Sequence, residues 1–139
     1  MSVVAQIILL LKKIQEEHGI SYLFITHDLA TLRYLAHRLL MLYLGRVMEV
    51  APAEDIYTEP LHPYTQALMA SIPTPDPEAI YEPAKLCIVG DPPSIIDPPS
   101  GCVFHTRCPY ATEACRHIAL RLREVKPNHH VACHLYNTP

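Results

Sequence analysis

The sequence predicts an α/β fold that is incomplete at this length and joined to a loop-rich, cysteine-bearing tail. Three observations carry that expectation. Segments with helical and strand patterning alternate over the first 51 residues; all 14 prolines lie at or after Pro52; and all five cysteines lie at or after Cys87, four of them between Cys102 and Cys133. Proline removes a backbone donor and breaks the interiors of helices and sheets, so the proline-free start is where regular structure belongs.

Val4, Ile7, Ile8, Leu11 and Ile14 fall on one helical face, opposite Lys12, Lys13, Gln15, Glu16 and Glu17. Gly19 is placed to end this helix in a left-handed conformation. Tyr22 to Ile25 is an apolar run of strand length, and Thr26-His27-Asp28 comes next, with Asp28 suited to cap a helix running to about His37. Leu39–Tyr43 and Arg46–Val50 read as two strands joined around Gly45, giving the order helix, strand, helix, strand, strand. A continuous apolar strand such as Tyr22–Ile25 needs helices on both faces and strands on both edges. The chain does not supply all of these, so it reads as the closing part of a larger α/β core.

Beyond Pro52 the sequence predicts a short helix around Glu54–Tyr57 and another from about Tyr64 to Ser71. Eight of the 27 residues from Pro73 to Pro99 are proline, which makes that stretch an extended linker or a strap laid over a surface. The expected organisation is an α/β core over 1–72, a proline-rich segment over 73–100 and a cysteine-rich region over 101–139.

The composition is half apolar and 18% charged, which excludes a disordered or collagen-like chain. No stretch approaches the ~20 apolar residues of a membrane-spanning helix. The apolar start, Val3 to Leu11, is followed rather than preceded by Lys12 and Lys13 and has no small-residue cleavage site, so it reads as a helix of a cytosolic protein and not as a signal peptide. In a reducing compartment an odd number of cysteines points away from a disulfide framework, toward metal ligation or reactive thiols.

His27 stands where a strand is expected to end and a capped helix to begin, the usual place for ligands in open α/β sheets. A histidine that only caps or packs at a strand end would fit the same position. The chain has neither a G-x-x-x-x-G-K-[ST] loop nor a G-x-G-x-x-G loop to hold a phosphate.

The four cysteines Cys102, Cys108, Cys115 and Cys133 are separated by five, six and seventeen residues. Four thiols in 32 positions suffice to enclose one metal centre. The spacing lacks the Cys-x-x-Cys knuckle of a zinc ribbon, and irregular intervals suit an iron–sulfur cube met from separated loops. His105, His117, His129, His130 and His134 crowd the same region, so a mixed Cys/His zinc site, with His129 or His134 replacing one sulfur, is the rival. A third reading is four buried cysteines in a small core. Between Cys102 and Cys133 five Arg and Lys face two Glu, a local net charge of +3, whereas the preceding 101 residues carry −6. Nearby cations favour thiolate over thiol. Cys87 stands apart and reads as a packed apolar residue. The basic tail has no aromatic stacking set beside it and the whole chain is acidic, so nucleic-acid binding is not expected.

Phe24-Ile25-Thr26-His27-Asp28-Leu29 resembles the switch, or H-loop, segment of ABC transporter ATPases, and Met41 to Glu49 resembles the strand pair that comes after it there. Pro60-Leu61-His62-Pro63-Tyr64-Thr65 with Ala67-Leu68, then Gly101-Cys102 and Arg107-Cys108-Pro109, resembles more narrowly the ATP-binding subunits of oligopeptide and dipeptide importers. Ser2-Val3 with Ala5-Gln6-Ile7 resembles the end of that family's D-loop.

The resemblance implies the C-terminal portion of an ABC ATPase core, a P-loop NTPase fold. It implies that His27 reaches the γ-phosphate of ATP, where a donor is needed as negative charge concentrates. ATP and Mg would be bound by the complete protein only, since the phosphate-binding loop, signature sequence, magnesium-binding aspartate and catalytic glutamate of the family have no counterpart in these residues. The chain alone is therefore expected to be inactive. The resemblance further implies a [4Fe–4S] cluster on Cys102, Cys108, Cys115 and Cys133, with zinc as the alternative. It implies a second ATPase subunit and membrane permease subunits as partners, and a cytoplasmic location at the inner face of the membrane. The incomplete core also predicts self-association. Val4, His37 and Leu120 depart from the family, which often has glutamine, aspartate and proline there. The rival from another class is an independent iron–sulfur or zinc-binding interaction module without an ATPase role.

Overall fold

The computed structural model describes residues 3–72 and 88–136. Cys87 and the rest of residues 73–87, from the expected proline-rich segment, lie outside the described residues. The chain divides into two compact units, Met1–Ala36 and His37–Pro139.

In the first unit, α1 (Val3–His18) is closed by Gly19, whose φ of +62° is left-handed and whose N–H donates to the Gln15 carbonyl at 2.9 Å. The Tyr22 hydroxyl donates to the carbonyl of Leu11. Helix α2 (Leu29–Leu35) starts on Asp28, whose carboxylate accepts both the backbone N–H and the hydroxyl of Thr31. These two hydrogen bonds hold the Asp28 carboxyl below its usual value. The helix ends two residues before the expected His37, where Ala36 turns extended.

The expected strand Tyr22–Ile25 is not formed. Leu23 is 91% and Ile25 92% exposed, and the segment has neither helix nor strand geometry. An apolar run becomes a strand only when a neighbour takes up its N–H and C=O groups, and no described residue pairs with this one.

The second unit is built on a four-stranded sheet in the order β1-β2-β4-β3, antiparallel throughout. β1 (Arg38–Tyr43) and β2 (Arg46–Pro52) form the expected hairpin. Its turn places Leu44 at φ +46° and Gly45 at φ +72°, the paired positive angles of a tight two-residue connection. Leu39, Met41 and Tyr43 point inward, while Arg38, Leu40 and Leu42 face out. α3 (Ala53–Thr58) comes directly after β2, and α4 (Pro63–Ala70) starts with proline at its first position and His62 as cap.

Residues 88–100 carry neither helix nor strand. They are tied to the cysteine-rich region by Arg107 Nε donating to the Gly90 carbonyl and Ser100 Oγ donating to the Arg116 carbonyl. α5 (Glu113–His117) precedes β3 (Arg123–Lys126) and β4 (His129–Val131), which turn through Asn128 at φ +62°. β4 lies against β2, with Glu49 opposite Val131 and Val50 opposite His130. The cysteine-rich region thus supplies two strands to the sheet that the hairpin begins. Tyr43, Met48, Val103 and Phe104 form one apolar cluster, and Leu61, Val131 and Cys133 another. Among the described residues no helix is long and apolar enough to cross a membrane.

Candidate functional site

The four cysteines singled out by spacing line a single cavity of about 200 Å³ together with His62 and Phe104. Each arrives on a different piece of backbone. Cys102 lies next to Gly101 and donates its N–H to the Cys115 carbonyl at 2.8 Å. Cys108 leaves a 3-10 turn, His105–Arg107, and Cys115 lies on α5. Cys133 sits just past β4, at the start of a second 3-10 turn, His134–Tyr136. Cys115 and Cys133 are buried, Cys102 and Cys108 partly so, and all four are free thiols. The Thr112 N–H and hydroxyl lie 3.4 and 3.3 Å from the Cys115 sulfur.

Burial governs the chemistry of these thiols. It pushes Cys133 up to about 12, with the charges of the other three cysteines adding to the rise, and it raises Cys102 and Cys108 as well. The expectation that local arginines would favour thiolate is therefore corrected. Arg116 is exposed and pairs with Glu113 on its own helix, and Arg121 and Arg123 face solvent. Charges close in sequence act weakly through water, whereas desolvation acts directly on the sulfur.

Among the described residues no three His, Cys, Asp or Glu side chains are gathered closely enough to hold a metal ion. A tetrahedral zinc site draws every ligand atom to ~2.3 Å or less from one point, and this arrangement is not that site.

The histidine rivals are also sorted. His129 is 1% exposed and its Nε2 lies 2.6 Å from Glu49 Oε1, with Asp55 Oδ2 3.8 Å from its other nitrogen; it does not line the cavity. It therefore cannot replace a sulfur there. His134 does line the cavity, but its Nε2 is hydrogen-bonded to the Ile118 carbonyl at 2.9 Å. His62, which the sequence offered only inside a family-like string, is a cavity residue. The signal that could have found it is its place before Pro63-Tyr64, where a cap with a backbone-directed ring nitrogen is required.

His27 belongs to the first unit. It is exposed, its carbonyl accepts the Leu29 N–H, and the neighbouring Thr26 hydroxyl oxygen accepts the Asp28 N–H, so a short capped turn presents the imidazole to solvent.

A family model described as the C-terminal region of oligopeptide/dipeptide transporters matches residues 48–115. Residues 48–115 are similar to this transporter C-terminal region. A peptide import ATP-binding protein of Brucella ovis is 51% identical over 132 residues, which is 95% of this chain and 41% of the relative. The oligopeptide transport ATP-binding proteins YkfD and AppF of Bacillus subtilis are 47% and 43% identical over 135 and 136 residues, 97% and 98% of this chain and 41% of each relative. The chain thus spans about two-fifths of the length of the curated relatives it matches. Within the matched transporter region lie Glu49, His62, Cys102, Cys108 and Cys115; Cys133 and His27 lie outside it.

Proposed function

We propose that this chain is the C-terminal part of the ATP-binding subunit of a peptide-importing ABC transporter, with a [4Fe–4S] cluster held by Cys102, Cys108, Cys115 and Cys133. The observation that carries the reading is its likeness, over at least 95% of its length, to proteins named for peptide import and ATP binding. The convergence of the four thiols on one cavity supports the cluster.

In the complete protein, ATP binding and hydrolysis would be coupled to uptake of oligopeptides or dipeptides. Two ATPase subunits would close on ATP and Mg and act on membrane permease subunits, with the protein peripheral at the cytoplasmic face. His27 is the residue of this chain that meets the nucleotide. Its exposed imidazole donates toward the γ-phosphate, where charge builds up during phosphoryl transfer. The Asp28 cap fixes the backbone beside it. Residues 1–139 include no phosphate-binding loop, so the chain alone hydrolyses no ATP. The cysteines would hold the cluster as thiolates, and burial opposes that form at Cys133. A bound cluster supplies an electron reservoir or a brace for the tail.

Uptake of a labelled di- or oligopeptide, in cells whose only copy of the complete protein carries His27→Ala, tests the transport reading; loss of uptake is expected and unchanged uptake overturns it. Anaerobic purification tests the cluster: about four iron and four sulfide per chain are expected, and stoichiometric zinc without iron rejects it. The sheet and the cysteine cavity lie within one compact unit, which favours a second reading as a separate metal-binding interaction module. Iron retained with uptake indifferent to His27→Ala would select that reading.

A further inference from the structure

Ile96 is 97% exposed and its neighbour Ile95 75%, yet the backbone that carries them is held in place. Ser94 Oγ accepts the Ile96 N–H at 3.2 Å, and the pair sits on a bend between Pro92-Pro93 and Pro98-Pro99. Arg107 Nε ties one end of the loop at the Gly90 carbonyl, and Ser100 Oγ ties the other to the Arg116 carbonyl at 2.8 Å. A loop stiffened by proline loses little conformational freedom when its tip docks. Asp91 and Asp97 flank the isoleucines and are exposed, so residues 88–100 carry a charge of −2.

The Ser100 bond sets this loop beside a stretch of opposite sign. Residues 116–123 contain Arg116, Arg121 and Arg123 and no carboxylate, a charge of +3, with Ile118 and Leu122 exposed among them. Arg116 is engaged by Glu113 at 3.5 Å, and the Glu124 carboxylate accepts the Asn128 N–H. Among the described residues Arg121 and Arg123 have no carboxylate partner, and both face solvent.

We infer that residues 90–100 and 116–123 form one self-complementary patch through which two copies of this chain pair about a two-fold axis. The Ile95-Ile96 loop of each copy docks on the arginine-bearing stretch of the other, with Asp91 and Asp97 toward Arg121 and Arg123. A two-fold interface uses the same patch on both copies, so the acidic and basic halves must lie side by side in each one, as the Ser100 bond places them. Rotation then matches both apolar pairs and both sets of charges at once. A partner of a single sign would set one half of the patch against like charge. This inference goes beyond the transport reading and requires neither nucleotide nor metal.

Charge exchange tests it on the full chain by sedimentation equilibrium, with circular dichroism confirming the fold of each variant. One variant carries Asp91→Lys and Asp97→Lys, the other Arg121→Glu and Arg123→Glu. Each alone should dimerise more than about tenfold more weakly than wild type, because like charges then meet at both contacts. An equal mixture of the two should recover the loss, since both contacts of the mixed pair join opposite charges. Association through the exposed apolar residues of the first unit is indifferent to these exchanges. Ile96→Ser should weaken the wild-type dimer without altering its response to charge. A wild-type chain that stays monomeric overturns the inference, as does Ile96→Ser dimerising like wild type. A mixture that associates no more tightly than its separate components overturns it too.

Discussion

Glu49 on β2 and His129 on β4 are joined at 2.6 Å, with 0% and 1% of their side chains exposed, across 80 positions of sequence. Glu49 does more than pair. Its Oε1 also accepts the Leu61 N–H at 2.7 Å and its Oε2 the His62 N–H. One carboxylate thereby fastens β4 to β2 and both to the loop that delivers His62 to the cavity. A buried carboxylate with three donors is satisfied; the same donors without it are not.

Glu49→Ala is expected to destabilise the unit His37–Pro139 by about 3–5 kcal/mol, the usual cost of breaking a buried pair by removing one partner. Glu49→Gln keeps one oxygen for a backbone N–H and should cost less. Urea denaturation monitored by circular dichroism measures both. A midpoint for Glu49→Ala within error of wild type would show that the pair does not hold the strands together.

The metal-free chain should lose stability on acidification through His62. Burial lowers this histidine from 6.5 to about 4, so the folded state holds it neutral while the unfolded chain takes up a proton below pH 6.5. Its contribution is fully present above pH 6.5 and is lost as pH falls through about 4, on the order of 3 kcal/mol in all. Other histidines titrate in this range, so the diagnostic quantity is the difference between wild type and His62→Asn. Urea midpoints between about pH 7.5 and 4 should fall more steeply in wild type; parallel curves would show that His62 is not the group responsible.

Local signals are legible in the sequence where the physics is local. Gly19 closes α1, Asp28 caps α2, and Gly45 turns the hairpin because caps and tight turns depend on a few adjacent residues. The grouping of Cys102, Cys108, Cys115 and Cys133 is legible from spacing, and the structure sets all four on one cavity. The features that escape depend on distant partners. Tyr22–Ile25 has the pattern of a buried strand, but its neighbours would have to come from elsewhere. β3 and β4 are only four and three residues long, and Arg-Glu-Val-Lys alternates too little to be seen. Nothing along the chain distinguishes His129 from four other histidines until folding sets Glu49 beside it. The thiols escape for a related reason: charge is counted along the sequence, whereas burial is decided in space.

Gly101 holds the cavity in shape, and its replacement should damage the fold and, on the proposed cluster reading, iron uptake. Its φ is +68°, and a Cβ there would lie 2.4 Å from the Cys115 carbonyl oxygen and 2.7 Å from the Arg116 carbonyl carbon. Both are backbone atoms, so relief requires the two cysteine-bearing segments to separate and the Cys102 N–H···O=C Cys115 bond to break. Gly45 is the natural comparison: its φ is +72°, yet a Cβ there meets nothing within 4 Å. Gly45→Ala should therefore cost only the left-handed strain of ~1–2 kcal/mol. Gly101→Ala should cost that plus the clash, and its reconstituted iron content should drop well below that of Gly45→Ala. Urea midpoints and iron analysis on the two variants decide the matter. Equal midpoints with equal iron would mean that the close approach of Gly101 to α5 is not needed to hold Cys102 and Cys115 on a common cavity.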